Sequence, residues 1–167
     1  MTAEEIKQYL TELNDELRLR DIKGEVSIFG GAVMCLVYDA RPATKDVDAV
    51  FRPTSEIRDA IRRIAERHNL PADWLNDGVK GYVTEHPETV LFELSDLTVF
   101  VPEPDYLLAM KAIAARPDTS DQDDVRFLVD RLGLTNASQV FEIIDKYYPR
   151  NQVKPATQYF IQELFES

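Results

Sequence analysis

The chain has 167 residues, 44% of them hydrophobic and 29% charged, with one cysteine, Cys35, so it is neither wholly disordered nor built on disulfides or a cysteine-based zinc site. No apolar run approaches the ~20 residues that a membrane span needs, and the acidic N-terminus is not a signal peptide, so we expect a cytoplasmic protein without a membrane partner. The formal net charge of −11 argues against a surface that binds naked nucleic acid electrostatically.

The first half of the sequence predicts alternating helices and strands. Thr2 followed by Glu5 fits a capping box at the start of an amphipathic helix, and Gly30 with Gly31 ends the first β-prone run. Alternating acidic and apolar residues from Asp46 onwards indicate a strand with two different faces. In chain order, we expect a helix over 2–20, a strand over 26–29, a buried helix over 32–38, a strand over 46–51 and a helix over 54–70.

The second half predicts a β-hairpin followed by helices. Segment 74–82 is predicted as a shorter helix or a loop, and Ser95 with Asp96 marks the hairpin turn. The further elements are strands over 89–94 and 97–101 and helices near 104–115, 120–132, 137–148 and 155–166, with breaks at Pro117, Gly133 and Pro149. This order predicts a single α+β domain over 1–167, with a small mixed sheet flanked by helices in 1–103 and a helical subregion in 104–167.

Charged residues are distributed unevenly along the chain. Residues 52–67 include five arginines and three acidic residues, whereas residues 81–110 include six acidic residues and no lysine or arginine. Such asymmetry is most often a solvated face. Two alternatives stay open: some of the acids converge on a metal ion, or the arginine segment binds RNA with a steep salt dependence.

The first candidate site is the turn from the strand over 26–29 into the next helix. Glycines such as Gly30 and Gly31 let a backbone approach a phosphate closely, and a helix N-terminus supplies free N–H groups and a positive dipole. A pair of glycines also occurs in turns that bind nothing, so this alternative remains open.

The second candidate site is the acidic pair Asp46 and Asp48. Residues i and i+2 of a strand point to the same side, so the two carboxylates face one way and repel each other unless a cation neutralises them. Paired hard oxygen ligands suit Mg²⁺, which keeps waters and takes substrate phosphates as its remaining ligands. The alternative is an exposed edge with two solvated acids.

The third candidate site combines Lys111 with Asp121 and Asp124. The aspartates are spaced i, i+3 and share a helical face, and a turn near Pro117 brings that helix back onto Lys111. The lysine pairs with the aspartates or holds a triphosphate as a point charge. The alternative is an acidic first helical turn that complements the helix dipole, with Ser120 as the cap.

Together these patterns resemble the nucleotidyltransferase superfamily of the DNA polymerase β type. The family motif is a hydrophobic residue, two small residues, roughly a dozen residues, and then Asp, an apolar residue and an acid. Here Phe29-Gly30-Gly31 is followed, after fourteen residues, by Asp46-Val47-Asp48. The downstream half is similar to AbiEii-like nucleotidyltransferases, a group that includes toxins of bacterial toxin–antitoxin pairs, in the motifs 107–111, Arg116 and 121–125. Ser120 departs from that pattern, which has a lysine there.

The resemblance implies a polymerase β-like fold and an enzyme that uses Mg²⁺, or Mn²⁺ in its place, to transfer an NMP from an NTP. The implied acceptor is an RNA, such as tRNA, or a protein, and the implied partner of a toxin is its antitoxin. The implied site residues are Gly30, Gly31, Arg41, Thr44 and Lys45 for the nucleotide, Asp46, Asp48 and Glu93 for the metal, and Asp46, Asp48, Lys111, Asp121 and Asp124 for catalysis.

A different class of function also fits the sequence. The chain is then a non-catalytic module that binds a nucleotide or a partner, such as the antitoxin of a pair whose acidic surface docks a basic toxin. Only Lys111, Arg41 and Lys45 are expected to neutralise the phosphates of a nucleotide. This small number of basic residues favours the non-catalytic module.

Overall fold

The computed structural model describes residues 1–114 and 120–166. The described residues form a five-stranded sheet and seven α-helices, which confirms the expected α+β fold with a small mixed sheet flanked by helices. The strands are β1 (Gly24–Phe29), β2 (Val47–Arg52), β3 (Leu75–Asn76), β4 (Glu88–Glu93) and β5 (Leu97–Pro102). The helices are α1 (Ala3–Leu19), α2 (Gly30–Leu36), α3 (Thr54–His68), α4 (Pro104–Ala114), α5 (Asp121–Arg131), α6 (Ala137–Tyr147) and α7 (Pro155–Glu163).

The chain divides into two compact units, Met1–Val83 with Glu88–Pro102, and Thr84–Pro87 with Glu103–Ser167. The expectation of one domain over 1–167 stays a prediction. Among the described residues, no helix combines the length and apolar character needed to cross a bilayer.

The first unit is built on the sheet, whose strand order is β3-β2-β1-β5-β4. Strand β1 lies at its centre, antiparallel to β2 and parallel to β5. One face of the sheet is apolar and buried, with Val26 and Ile28 of β1 beside Ala49 of β2 and Val99 of β5. Helices α1 and α3 contact each other and this sheet, and their buried stripes complete the core, as their helical periodicity predicts.

The opposite face of the sheet, named here the Asp48 face, is polar and partly open. Cross-strand partners share a face, so Asp48, Val50 and Arg52 of β2 lie beside Phe29, Ser27 and Glu25 of β1. On β5 and β4 the same face continues through Thr98, Phe100, Glu88, Val90 and Glu93. Most of these side chains are half-buried or exposed, whereas the core face is closed.

Strand β4 contains a β-bulge. Val90 is opposite Phe100 and Phe92 is opposite Val99, so Leu91 is an extra residue in the pairing of β4 with β5. The bulge returns the strand to register, and both Glu88 and Glu93 therefore lie on the Asp48 face.

Segment 74–82 agrees only in part with its prediction as a short helix or loop, because strand β3 was not expected. It forms the two-residue strand β3 and a 3₁₀ turn over Gly78–Gly81. The buried indole of Trp74 donates its Nε1–H to the carbonyl of Ile61 at 3.0 Å, and the N–H of Val47 donates to the carbonyl of Trp74 at 2.7 Å. These long-range bonds fix the segment beside β2, which a local pattern does not show.

The second unit is helical, as predicted, and α4 contacts both α5 and α6. Its centre includes the fully buried Tyr106, whose hydroxyl lies 2.8 Å from that of Tyr148 and accepts the N–H of Thr84 at 2.9 Å. Burial, followed by the hydrogen bond to Tyr106, raises the pKa of Tyr148, so its hydroxyl stays protonated in this network. The predicted break at Pro117 lies outside the described residues.

Candidate functional site

The turn from β1 into α2 lies directly beside the acidic strand β2. Phe29, the last residue of β1, pairs with Asp48. Gly30 has φ +66°, and a Cβ placed on it would lie 2.8 Å from Oδ2 of Asp48. Glycine is required here for two reasons. A residue with a Cβ has a strained backbone at this positive φ, and its Cβ would also collide with the carboxylate of Asp48.

The next glycine faces the loop that precedes β2. A Cβ on Gly31 would lie 2.7 Å from Nη1 of Arg41 and 2.7 Å from Oγ1 of Thr44. Arg41 and Thr44 are half-buried, whereas Lys45, in the same loop, is exposed. The structure thus gathers four of the five residues expected to contact a nucleotide around one turn and leaves Lys45 at its surface.

Asp46 ends this loop one residue before β2 begins. The hydroxyl of Thr44 donates to the carbonyl of Asp46 at 3.2 Å, which fixes the backbone just ahead of the strand. Asp46 and Asp48 are both half-buried, and Val47 between them is fully buried. This alternation agrees with the expected spacing, in which two carboxylates flank a core residue.

Two carboxylates are enough for a magnesium ion that is held jointly with a substrate. No group of three or more histidine, cysteine or acidic side chains within the described ranges is placed to hold a metal ion. Mg²⁺ does not need such a cage, because it typically binds one or two carboxylates and fills its other positions with water and phosphate oxygens. Asp46 and Asp48 are the residues that would hold it.

Glu93 does not join this group. Glu93 lies on β4, at the end of a row of cross-strand partners that runs through Thr98 and Glu25 to Arg52 of β2. Arg52 is four residues along β2 from Asp48. That register separates Glu93 from Asp48 by about 13 Å along the strands and by three strand spacings of about 4.8 Å across them. The carboxylates of Glu93 and Asp48 are therefore too far apart in this sheet to bind the same metal ion.

A different acid reaches toward Asp48, and sequence reasoning missed it. Oε2 of Glu88 accepts a hydrogen bond of 2.9 Å from the hydroxyl of Ser27 on β1. Ser27 is opposite Val50, so it is a diagonal neighbour of Asp48, at a typical Cα distance of about 7–8 Å. The signal was the lone polar residue in the run Val26–Phe29, but its partner on β4 depends on long-range register.

The predicted pairing of Lys111 with Asp121 and Asp124 is present in the second unit. Nζ of Lys111 lies 2.7 Å from Oδ2 of Asp124 and 3.5 Å from Oδ1 of Asp121. Side-chain exposure is 8% for Lys111 and 3% for Asp124, so this ion pair is buried. Ser120 occupies the position before α5 but makes no side-chain capping bond, unlike the alternative in which it caps the helix.

Comparison with known proteins gives a family for the chain. A family model described as "Nucleotidyltransferase of unknown function" (DUF6036) matches residues 3–148, which include both glycines, the acidic pair and Lys111 with its aspartates. No curated protein and no solved structure matches the chain. The finer resemblance to AbiEii-like proteins stays a prediction. The chain therefore belongs to the DUF6036 family of nucleotidyltransferases.

Proposed function

We propose that the protein is a Mg²⁺-dependent nucleotidyltransferase that transfers an NMP from an NTP to a hydroxyl group of an RNA, such as tRNA, or of a protein. The observation that carries the proposal is the contact of Gly30 with Asp48 beside the contact of Gly31 with Arg41 and Thr44. One turn thus combines backbone N–H and guanidinium donors for phosphates with a carboxylate for a cation.

In this proposal the triphosphate lies against the β1–α2 turn. The N–H groups at the start of α2 lack helical carbonyl partners and are free to donate to phosphate oxygens. Arg41 adds a guanidinium and Lys45 an exposed ammonium. The hydroxyl of Thr44, which donates to the carbonyl of Asp46 in this structure, turns to a phosphate oxygen when the nucleotide binds. Asp46 and Asp48 hold Mg²⁺, or Mn²⁺ in its place, and the metal ion supplies neutralisation of the charge that develops on the phosphates.

The reaction forms a bond between the acceptor oxygen and the α-phosphorus and breaks the bond from that phosphorus to the oxygen of the leaving pyrophosphate. A carboxylate takes the acceptor proton, for which the downstream motif offers Asp121 and Asp124. The same motif offers Lys111 as a phosphate contact. The observed ion pair supports the part of this assignment in which the aspartates position the ammonium.

The proposed biological setting is that of a toxin with an antitoxin as its protein partner. This part of the proposal is supported by the resemblance of the downstream motifs to AbiEii-like proteins.

The test is transfer of label from each of the four α-³²P NTPs, with Mg²⁺ or Mn²⁺, into total RNA, tRNA and protein. We expect Asp46→Asn and Asp48→Asn each to lower the transfer rate about 100-fold or more, because each removes a charge from the metal-binding pair. Glu66→Gln, which changes an exposed acid of α3, is the matched control. Absence of transfer by the wild type to any acceptor would contradict the proposal.

The second candidate function is a non-catalytic module that binds a nucleotide or a protein partner. The observation that favours it is the burial of Lys111, whose ammonium is already paired with two aspartates. A module of this kind binds NTP and Mg²⁺ in equilibrium measurements but transfers no label, and this result separates it from the enzyme.

A further inference from the structure

The Asp48 face carries a groove that the nucleotide site does not use. Two cavities of about 160 Å³ and about 370 Å³ adjoin there, since Glu25 and Arg52 line both of them. We name them together the sheet-face groove. It begins near Phe29, the strand partner of Asp48, and extends to Lys23 beyond Arg52.

The end of the groove near Asp48 presents hydrogen-bond acceptors and an apolar wall. Glu88 and Ser27 line the smaller cavity and are hydrogen-bonded to each other at 2.9 Å. Val50 and Val83 line it as well, and both are half-buried and supply apolar surface, whereas Phe29 lines it but is buried. A carboxylate above an apolar wall suits a group that has hydroxyl donors on one side and a carbon ring on the other.

The far end of the groove presents cations. Arg52 and Lys23 line the larger cavity, with side-chain exposures of 79% and 75%. Arg52 makes one ion pair, with Glu25, although its guanidinium has five N–H donors. The ammonium of Lys23 has three donors and already uses two of them, on the carboxylate of Asp96 and the carbonyl of Ser95. Arg52 is four residues from Asp48 on the same strand and the same face, a separation of about 13 Å.

We propose that the sheet-face groove binds the terminal nucleotide of a single-stranded RNA acceptor. Glu88, positioned by Ser27, accepts a hydrogen bond from the ribose hydroxyl next to the reacting one. Val50 and Val83 pack against the sugar and base, and Arg52 and Lys23 contact the phosphodiester backbone. The inference rests on the proposed function, since it names the acceptor class for the site at Asp48.

The order of groups along the groove favours RNA over a protein acceptor. A hydroxyl of a Ser, Thr or Tyr side chain has no second hydroxyl for Glu88 and no phosphate for cations about 13 Å away. A ribonucleotide chain end has both. Because the 2′-hydroxyl distinguishes RNA from DNA, Glu88 becomes a specificity-determining residue.

The test uses two 5′-fluorescein-labelled decamers of adenosine, one ending in ribose and the other in 2′-deoxyribose, with binding measured by fluorescence anisotropy without NTP. We expect the wild type to bind the ribose-ended decamer about tenfold more tightly, the size expected for one hydrogen bond to a charged group. Glu88→Gln keeps an acceptor for Ser27 but removes the charge, and it should abolish most of this difference.

Arg52→Gln should weaken binding of both decamers equally and reduce the slope of log K against log salt by about 0.7, the value for one phosphate contact on a single strand. Glu66→Gln and Arg62→Gln, which change exposed residues of α3, are the matched controls and should leave binding unchanged.

The inference is wrong if the wild type binds neither decamer, if Glu88→Gln keeps the preference for ribose, or if Arg62→Gln weakens binding as much as Arg52→Gln. Binding is measured without NTP, so its outcome is independent of catalysis. Transfer of label with an unchanged ribose preference in Glu88→Gln rejects the groove alone, whereas ribose-specific binding without transfer rejects the proposed enzyme alone.

Discussion

At the scale of single residues, Gly30 serves both the backbone conformation and the candidate site. Its positive φ turns the chain from β1 into α2, and its missing side chain leaves room for the carboxylate of Asp48. A residue with a side chain would adopt this backbone conformation only with strain, and its side chain would also displace the carboxylate of Asp48.

We expect Gly30→Ala to lower the free energy of unfolding by about 1–3 kcal/mol, the cost of a left-handed backbone for a residue with a Cβ. NTP binding should fall as well, because the new methyl group displaces Asp48. Urea denaturation and calorimetric titration with an NTP measure the two effects. Gly81→Ala is the matched control, since a Cβ there meets nothing within 4 Å, and equal losses in both variants would contradict this account.

At the scale of secondary-structure elements, one buried ion pair joins α4 to α5. Lys111 comes from α4 and Asp124 from the first turn of α5, and both side chains are almost fully buried. Such a pair contributes little net stability against an apolar replacement, but loss of one partner leaves a buried charge without compensation.

We expect Lys111→Met to lower the free energy of unfolding by about 3–5 kcal/mol. The double variant Lys111→Met, Asp124→Asn should recover much of that loss, because it removes the stranded charge of Asp124 as well. Urea denaturation of the two variants and the wild type measures both values. A loss below about 1 kcal/mol for Lys111→Met would show that the pair has no structural role.

Helices α1 and α3 are joined by a second set of charges, centred on Glu12. Its carboxylate lies 2.7 Å from Nε2 of His68 and also accepts hydrogen bonds from Arg67. Burial raises the pKa of Glu12, but the hydrogen bonds from His68 and Arg67 outweigh this effect, so the pKa lies below its ordinary value of 4.5.

This lowered pKa predicts a pH dependence of stability. Because the pKa of Glu12 is lower in the folded protein than in the unfolded chain, where it is about 4.5, the ionised carboxylate stabilises the fold. This stabilisation is fully present above the pKa of the unfolded chain and is lost as the pH falls through the lower pKa of the folded protein. We expect the melting temperature of Glu12→Gln to vary less than that of the wild type below about pH 5. Thermal denaturation between pH 7 and pH 3 tests this, and parallel curves would refute it.

At the scale of the whole molecule, much of the acidity is neutralised locally. Arginines of α3 form ion pairs with acids outside that helix: Arg58 with Asp77, Arg63 with Glu16, and Arg67 with both Glu12 and Glu16. The arginine-rich segment therefore presents less free positive charge than the sequence suggests, and this weakens the alternative of RNA binding through α3. Of the acids in 81–110, Asp96 is buried and paired with Lys23, and Asp105 is paired with Lys146.

The features that the sequence predicted correctly are those with local causes. The capping box of Thr2 and Glu5 starts α1, and the alternation around Asp48 marks β2, because each depends on neighbours within a few residues. The two-residue strand β3 was missed because its cause is the bond of Val47 to Trp74, which local periodicity does not record. Glu88 was missed for a similar reason, since its contact with Ser27 spans 61 positions.

The extra residue in β4 has a consequence for how this strand tolerates changes in length. Glu88 and Glu93 are an odd number of positions apart, so simple alternation would put them on opposite faces, yet the bulge at Leu91 puts both on one face. Removing Leu91 would leave a regular strand with every other side chain facing as before. Removing Val90 or Phe92 would have the same result, because Leu91 could take the vacated position in the pairing. Relatives that are one residue shorter in this strand are therefore to be aligned with their gap within Val90–Phe92, or the acid that reaches Ser27 will be misidentified.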